Sequence, residues 1–125
     1  LDNGYTAAIA PEQLHWLRRE AARQDGRTLI VAMHIPLSDN AVSRAIKEAA
    51  AEARIALVLA GHRHSDGVEE IALGTAPAVQ VRTAAFGYGV NHWRLVRLAE
   101  DRIEVSATGE PGRVERTIAV AAAVR

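Results

Sequence analysis

The chain has 125 residues, which suits one domain, and 49% of them are hydrophobic against only 4% aromatic, so an aliphatic, tightly spaced core is expected. Lys+Arg is 15 and Asp+Glu is 15, with no basic run, which argues against a general nucleic-acid or anionic-membrane surface, since both rely on clustered positive charge. The absence of cysteine excludes disulfides and thiolate metal sites, and no apolar run approaches the length of a membrane span.

The first residues, Leu1-Asp2-Asn3-Gly4, have no initiator Met and no signal-peptide shape. They read as the end of a strand entering a turn, which suggests that the natural chain begins earlier, and the expected compartment is cytoplasmic. Residues 11–24 read as a helix: Pro11 suits its first position, Leu14, Leu17 and Ala21 share one face, and Gly26 follows as a stop. Residues 28–33 form a short apolar run between Gly26 and Pro36, expected to be a buried strand. A second helix is expected over 40–53, with Val42, Ile46, Ala49 and Ala53 inward and Ser38, Asp39 or Asn40 as its cap. Residues 55–60 repeat the buried-strand pattern. Helix, strand, helix, strand argues for a parallel α/β sheet.

After Gly67 the pattern changes. Strand candidates fall at 68–73, 77–84, 92–98 and 102–107, with Glu100-Asp101 as a hairpin turn between the last two. In 102–107, Ile103, Val105 and Ala107 alternate with Arg102, Glu104 and Ser106. The half from 68 to 118 is therefore expected to be mostly antiparallel and to contribute to a second sheet, against an α/β part over 1–67. The tail 113–125 is ambiguous, and Ala121–Ala123 suits either a strand or a helix.

Two places join a buried strand to a metal-competent end: Met33-His34-Ile35-Pro36 and Gly61-His62-Arg63-His64. The carboxyl ends of strands in open α/β sheets are where ligands bind. If 28–33 and 55–60 are neighbours, those ends lie about 5–10 Å apart, and His34, His62 and His64 converge. Neutral imidazole is the commonest side-chain ligand for borderline divalent metals, and Gly61 would permit a sharp exit from the strand. Taken alone, His34 reads equally well as a turn histidine, and His62 with His64 as a surface pair. His15 reads as a solvent-facing helix residue, and His92 as structural, with a role at a pocket rim left open.

At these residues the chain resembles the calcineurin-like metallophosphoesterase superfamily, whose signature ends with a His in a His-x-Pro context after one strand and a Gly-His-x-His after the next. Residues 11–17 also resemble the helix that precedes the first of these, and the likeness extends from residue 1 to about 108. It implies the C-terminal half of a four-layer α/β/β/α sandwich. It also implies two divalent metal ions, of Mn, Fe, Zn, Co or Ni, with His34 and His62 on one and His64 on the other. The implied reaction is hydrolysis of a small-molecule phosphoester, with monoesters, cyclic nucleotides and other diesters all open. The family's Asp-x-His, Gly-Asp and Gly-Asn-His-Asp/Glu motifs do not occur, and Asp2 and Asp66 do not replace them. The bridging carboxylate and the acid residue are thus expected upstream, and the chain by itself should be poorly active.

A metallo-β-lactamase site needs His-x-His-x-Asp-His and fails at Gly67. A cupin carries its His-x-His in an all-β barrel, and an amidohydrolase carries it on the first strand of a longer barrel. A phosphoesterase-like binding or structural domain without catalysis stays open as a rival, and a metallo-hydrolase of the β-lactamase type as a third reading. The sheet edge left by missing strands should be covered by an N-terminal half or by a second copy of the chain.

Overall fold

The computed structural model describes residues 1–4, 8–87 and 90–120. The elements in chain order are α1 (Pro11–Ala22), β1 (Leu29–Ala32), α2 (Ala41–Ala49), β2 (Ile55–Ala60), β3 (Gly67–Leu73), β4 (Ala76–Arg82), β5 (Phe86–Gly87), β6 (Val90–Asn91), β7 (Val96–Leu98), β8 (Arg102–Ala107) and β9 (Glu110–Ala119).

Both expected helices form, each shorter than the apolar pattern suggested. Pro11 opens α1, where its missing N–H costs nothing, and Leu17 and Ala21 are its buried residues. Asn40 is the residue that caps α2, its side chain accepting from Ser43 N–H at 2.8 Å. That helix stops at Ala49; Ala50 and Ala53 stay buried but belong to the turn before β2. Ser43, rather than only the aliphatic stripe, also faces inward.

The principal sheet has the order β1-β2-β4-β3. β1 and β2 are parallel, β2 and β4 are parallel, and only β3 runs against β4. This differs from the expectation that the chain after residue 67 forms a second sheet: β3 and β4 complete the first one. The hairpin that makes this possible turns at Gly74, whose φ of +72° lies in the left-handed region. A Cβ there would come within 2.1 Å of the Ala53 carbonyl oxygen, so this turn requires glycine.

β2 is covered on both faces. Ile55, Val58 and Ala60 belong to an aliphatic cluster with Leu17, Ala21, Ile46 and Ala49 of the helices. Ala56 and Leu57 belong to another with Val79, Val81, Ile103 and Val105, across which the antiparallel sheet β7-β8-β9 packs. Layers of helix, sheet and sheet follow, as the two-sided apolar pattern of residues 55–60 requires. The similar run in β1 meets a different fate: it is the end strand, and Ile30 remains 38% exposed.

In the outer sheet, the β7–β8 connection falls at Glu100-Asp101 as expected, with Ala99 N–H donating to Arg102 O at 2.9 Å. Only 96–98 of the expected strand 92–98 is regular. Ile103, Val105 and Ala107 are buried, but so is Ser106, expected on the outer side; its hydroxyl accepts from Leu95 N–H and donates to Ala107 O. The tail resolves its ambiguity as a strand through Ala119, and Ala121–Ala123 lies outside the described residues. Among the described residues no helix is long and apolar enough to cross a membrane.

Candidate metal centre at the sheet edge

His34 and His62 lie two residues beyond the ends of the neighbouring parallel strands β1 and β2. Pairing continues past both strand ends: Met33 N–H donates to Leu59 O and Gly61 N–H to His34 O, each at 3.0 Å. From the other side, the buried side chain of Asn3 accepts from the His34 and Ile35 N–H groups at 3.1 and 2.9 Å and donates to Ile35 O at 2.7 Å. Gln80, fully buried on β4, fixes the loop that follows by accepting from Leu37 N–H at 2.7 Å and donating to Leu37 O at 3.1 Å. The backbone that carries His34 is thus held by two buried amides.

The loop 61–66 has an unusual path. It leaves β2, passes the carboxyl end of β4 and enters β3, the strand beyond, where Gly67 pairs with Arg82. Its sharp bends fall on the histidines. His62 has φ +63° and His64 φ +49°, while Gly61, expected to supply the bend, is not left-handed. A side chain in that region costs on the order of 1 kcal/mol or more, and two within three residues mark a loop whose side chains matter.

His62 Nδ1 stands 3.2 Å from His34 Nε2, with ring centroids 5.0 Å apart and planes at 75°. Two imidazole nitrogens each about 2.1 Å from one ion, at tetrahedral or octahedral angles, are about 3.0–3.4 Å apart. The pair therefore fits a shared divalent ion. It fits equally a single proton held between the two rings. His64 is exposed, and among the described residues no group of three or more His, Cys, Asp or Glu side chains is assembled to hold a metal. His15 is exposed on α1.

A second polar group sits at the same edge. Asp66, at the end of the loop, accepts from Ala84 N–H at 3.1 Å and contacts His92 Nδ1 at 2.7 Å, with the Arg94 guanidinium 3.7 Å away. Burial pushes the Asp66 carboxyl up, but the Ala84 N–H, His92, Thr108 and Arg94 together hold it below the ordinary carboxylate range. Arg94 is itself nearly buried and is also paired with Glu115. No spacing rule announces the Asp66–His92 pair, since 26 residues separate its members. For Asn3 the one sequence signal was its place in an Asp-Asn-Gly turn.

The chain matches no family model and no curated protein by sequence. By structure it is similar to a dimetal phosphatase from Danio rerio, with a TM-score of 0.67 and 18% identity over 91% of this chain. It spans 39% of that protein's length. At this identity the likeness is one of fold: a mixed α/β architecture that matches part of a dimetal phosphatase.

Proposed function

We propose that this chain carries part of a metallophosphoesterase centre and takes part in metal-dependent hydrolysis of small-molecule phosphoesters. His34 and His62 would hold one divalent ion and His64 would face a second, the ions drawn from Mn, Fe, Zn, Co or Ni. The observation that carries this reading is the 3.2 Å approach of two imidazole nitrogens at the ends of adjacent parallel strands, one of them on a left-handed residue. The fold likeness to a dimetal phosphatase supports it. Paired divalent ions supply charge that neutralises phosphoryl oxygens and acidifies water. Two histidines are fewer ligands than such an ion takes, so the carboxylates, the remaining ligands and further substrate contacts come from a segment preceding residue 1 in a longer parent, or from a second copy.

Among the described residues β1 is the end strand of its sheet, with Leu1 N donating to Ala32 O at 2.6 Å at its carboxyl end, and the edge before that contact offers a place for that segment. A groove lined by Leu1, Trp16, Leu29 and Ile30 runs along it, and Trp16 is 47% exposed there. An edge strand beside apolar surface invites strand addition.

Cobalt or zinc titration of the chain tests the centre. Binding should weaken about tenfold or more in His34→Ala and in His62→Ala alike, given that even outer-shell changes cost 10–100-fold. Turnover of an aryl phosphate with manganese should be slow for the chain alone and rise by orders of magnitude when an upstream segment is restored. A second reading rests on the same contact: a proton shared between the rings makes the pair a clamp in a non-catalytic domain. Unchanged metal affinity in both alanine variants would favour it.

A further inference from the structure

Gly67 opens β3 and pairs with Arg82 of β4. Its φ lies outside the left-handed region, so its conformation does not itself call for glycine. A close approach does. A Cβ on residue 67 would come within 2.3 Å of Arg82 Nη2 and 2.8 Å of Cζ. The Arg82 side chain crosses over its strand partner and reaches the residues two positions away on either side, which share that face of β3. Its Nη1 donates to Ser65 Oγ at 3.1 Å, and its Nε stands 3.5 Å from Glu69 Oε1.

Glu69 also accepts from Nε2 of Gln80, the residue opposite it on β4, at 3.1 Å. The same amide group donates to Leu37 O, and its oxygen accepts from Leu37 N–H. A polar chain therefore runs from Ser65, next to His64, through Arg82, Glu69 and Gln80 to Leu37, three residues after His34. Its middle is sheltered: Gln80 is fully buried, and the Arg82 side chain is 22% exposed. Asp66, between Ser65 and Gly67, accepts from Ala84 N–H, so three successive residues after His64 are held. Backbone in a costly region persists only where its surroundings over-determine it. His62 and His64 both have positive φ, and these contacts fix the chain on their carboxyl side.

We propose that Arg82 is a positioning residue of the metal centre: with Glu69 and Gln80 it ties the loop of His62 and His64 to the loop of His34, and Gly67 leaves room for it. The inference rests on the metal-centre reading above. Arg82 touches neither ion nor substrate in this role; it acts through the backbone that carries the imidazoles.

Cobalt titration of the full chain, followed by visible absorption, tests this, with urea unfolding of each metal-free variant as the control. Arg82→Met keeps the stem of the side chain and removes its donors, and Gly67→Ala pushes the guanidinium aside. Each should weaken cobalt binding about tenfold, the lower end of what outer-shell partners carry. The double variant should bind about as well as either single one, because Gly67 acts only through Arg82. Losses that multiply in the double variant overturn the proposal. So does a lowered urea midpoint with cobalt affinity kept, which would mean that Arg82 serves the fold alone. Unchanged affinity in both variants, with binding lost in His62→Ala, overturns this inference and leaves the metal centre standing. Unchanged affinity in His62→Ala as well overturns the metal centre and this inference with it. Should Arg82→Met or Gly67→Ala not fold, Ser65→Ala decides, since it removes one exposed hydroxyl: a few-fold loss of affinity supports the proposal, and no loss overturns it.

Discussion

β2 and β9 are both strands of this chain, and they are built in opposite ways. Every residue of β2 is buried or nearly so, and its side chains are aliphatic on both faces. Six successive residues at the start of β9 are exposed, and its partners across space are charged: Glu110 with Arg113, Arg94 with Glu115, and Arg116 with Glu70 of β3. The inner sheet is held by removal of apolar surface from water, worth about 25 cal/mol per Å². The outer face of β9 is kept soluble by ion pairs that water screens. The histidines sit on the first kind of structure. The 3.2 Å approach of His34 and His62 depends on how the ends of β1 and β2 are held, and their pairing continues past both ends.

The largest expected effect breaks the inner region directly. Leu57 is fully buried between the two sheets, so Leu57→Ala should cost about 3–4 kcal/mol. Leu98 of β7, 68% exposed, gives the comparison: Leu98→Ala should stay within about 0.5 kcal/mol. Urea unfolding of both variants checks this. Equal losses would mean that the outer sheet is as tightly packed as the inner one.

The sequence showed the inner region well and the outer region less well, for a physical reason. Burial on both faces leaves a continuous apolar run, so 55–60 was read to the residue. The same run at 28–33 looked identical, yet β1 is the edge, because hydrophobicity records what a strand could bury and not who its neighbours are. The place of β4 between β2 and β3 was hidden as well, since a parallel pairing across a hairpin leaves no local mark. Ser106 interrupts an alternating strand with a hydroxyl that bonds its own surroundings, which a polar letter does not reveal. At the site, the strand-end positions of His34 and His62 followed from pattern alone. The bends did not: Gly61 was the residue suited to them, and the chain placed them on His62 and His64 instead.

That placement gives a prediction of intermediate size. His64 holds φ +49°, where a side chain costs about 1–2 kcal/mol and glycine does not pay it, though glycine loses about 0.5–1 kcal/mol through its freer unfolded chain. His64→Gly should therefore raise stability by about 0.5–1 kcal/mol, read as a higher urea midpoint. A loss of stability would show that the exposed ring makes contacts worth more than the strain. In the metal-centre reading the same variant gains stability while giving up a ligand, the exchange expected where function holds a loop in a costly shape.

The smallest effect is expected on the outer face, at Arg113. Its guanidinium donates to both oxygens of Glu110 at 3.0 and 2.9 Å, with the side chains 62% and 58% exposed. The bidentate hydrogen bonds, and then the charge of Arg113, hold the Glu110 carboxyl below its ordinary range, and Glu110 in turn raises Arg113. The signs separate the two. A depressed carboxyl contributes stability above its unfolded value and loses it as pH falls through the folded one, so any share from Glu110 should be lost in acid below the ordinary carboxylate range. A raised guanidinium contributes below its unfolded value, which lies far above the working range, so the share from Arg113 is constant over that range. Both groups stand in water, where side-chain entropy and screening cancel most of the attraction. Arg113→Ala should then leave the urea midpoint at pH 7 indistinguishable from that of the parent chain, in low salt and in high salt. A drop at pH 7 in low salt that vanishes near pH 3 would show that the ion pairs of β9 hold the outer strand in place, and the contrast with β2 would then lie in the kind of force and not in its strength.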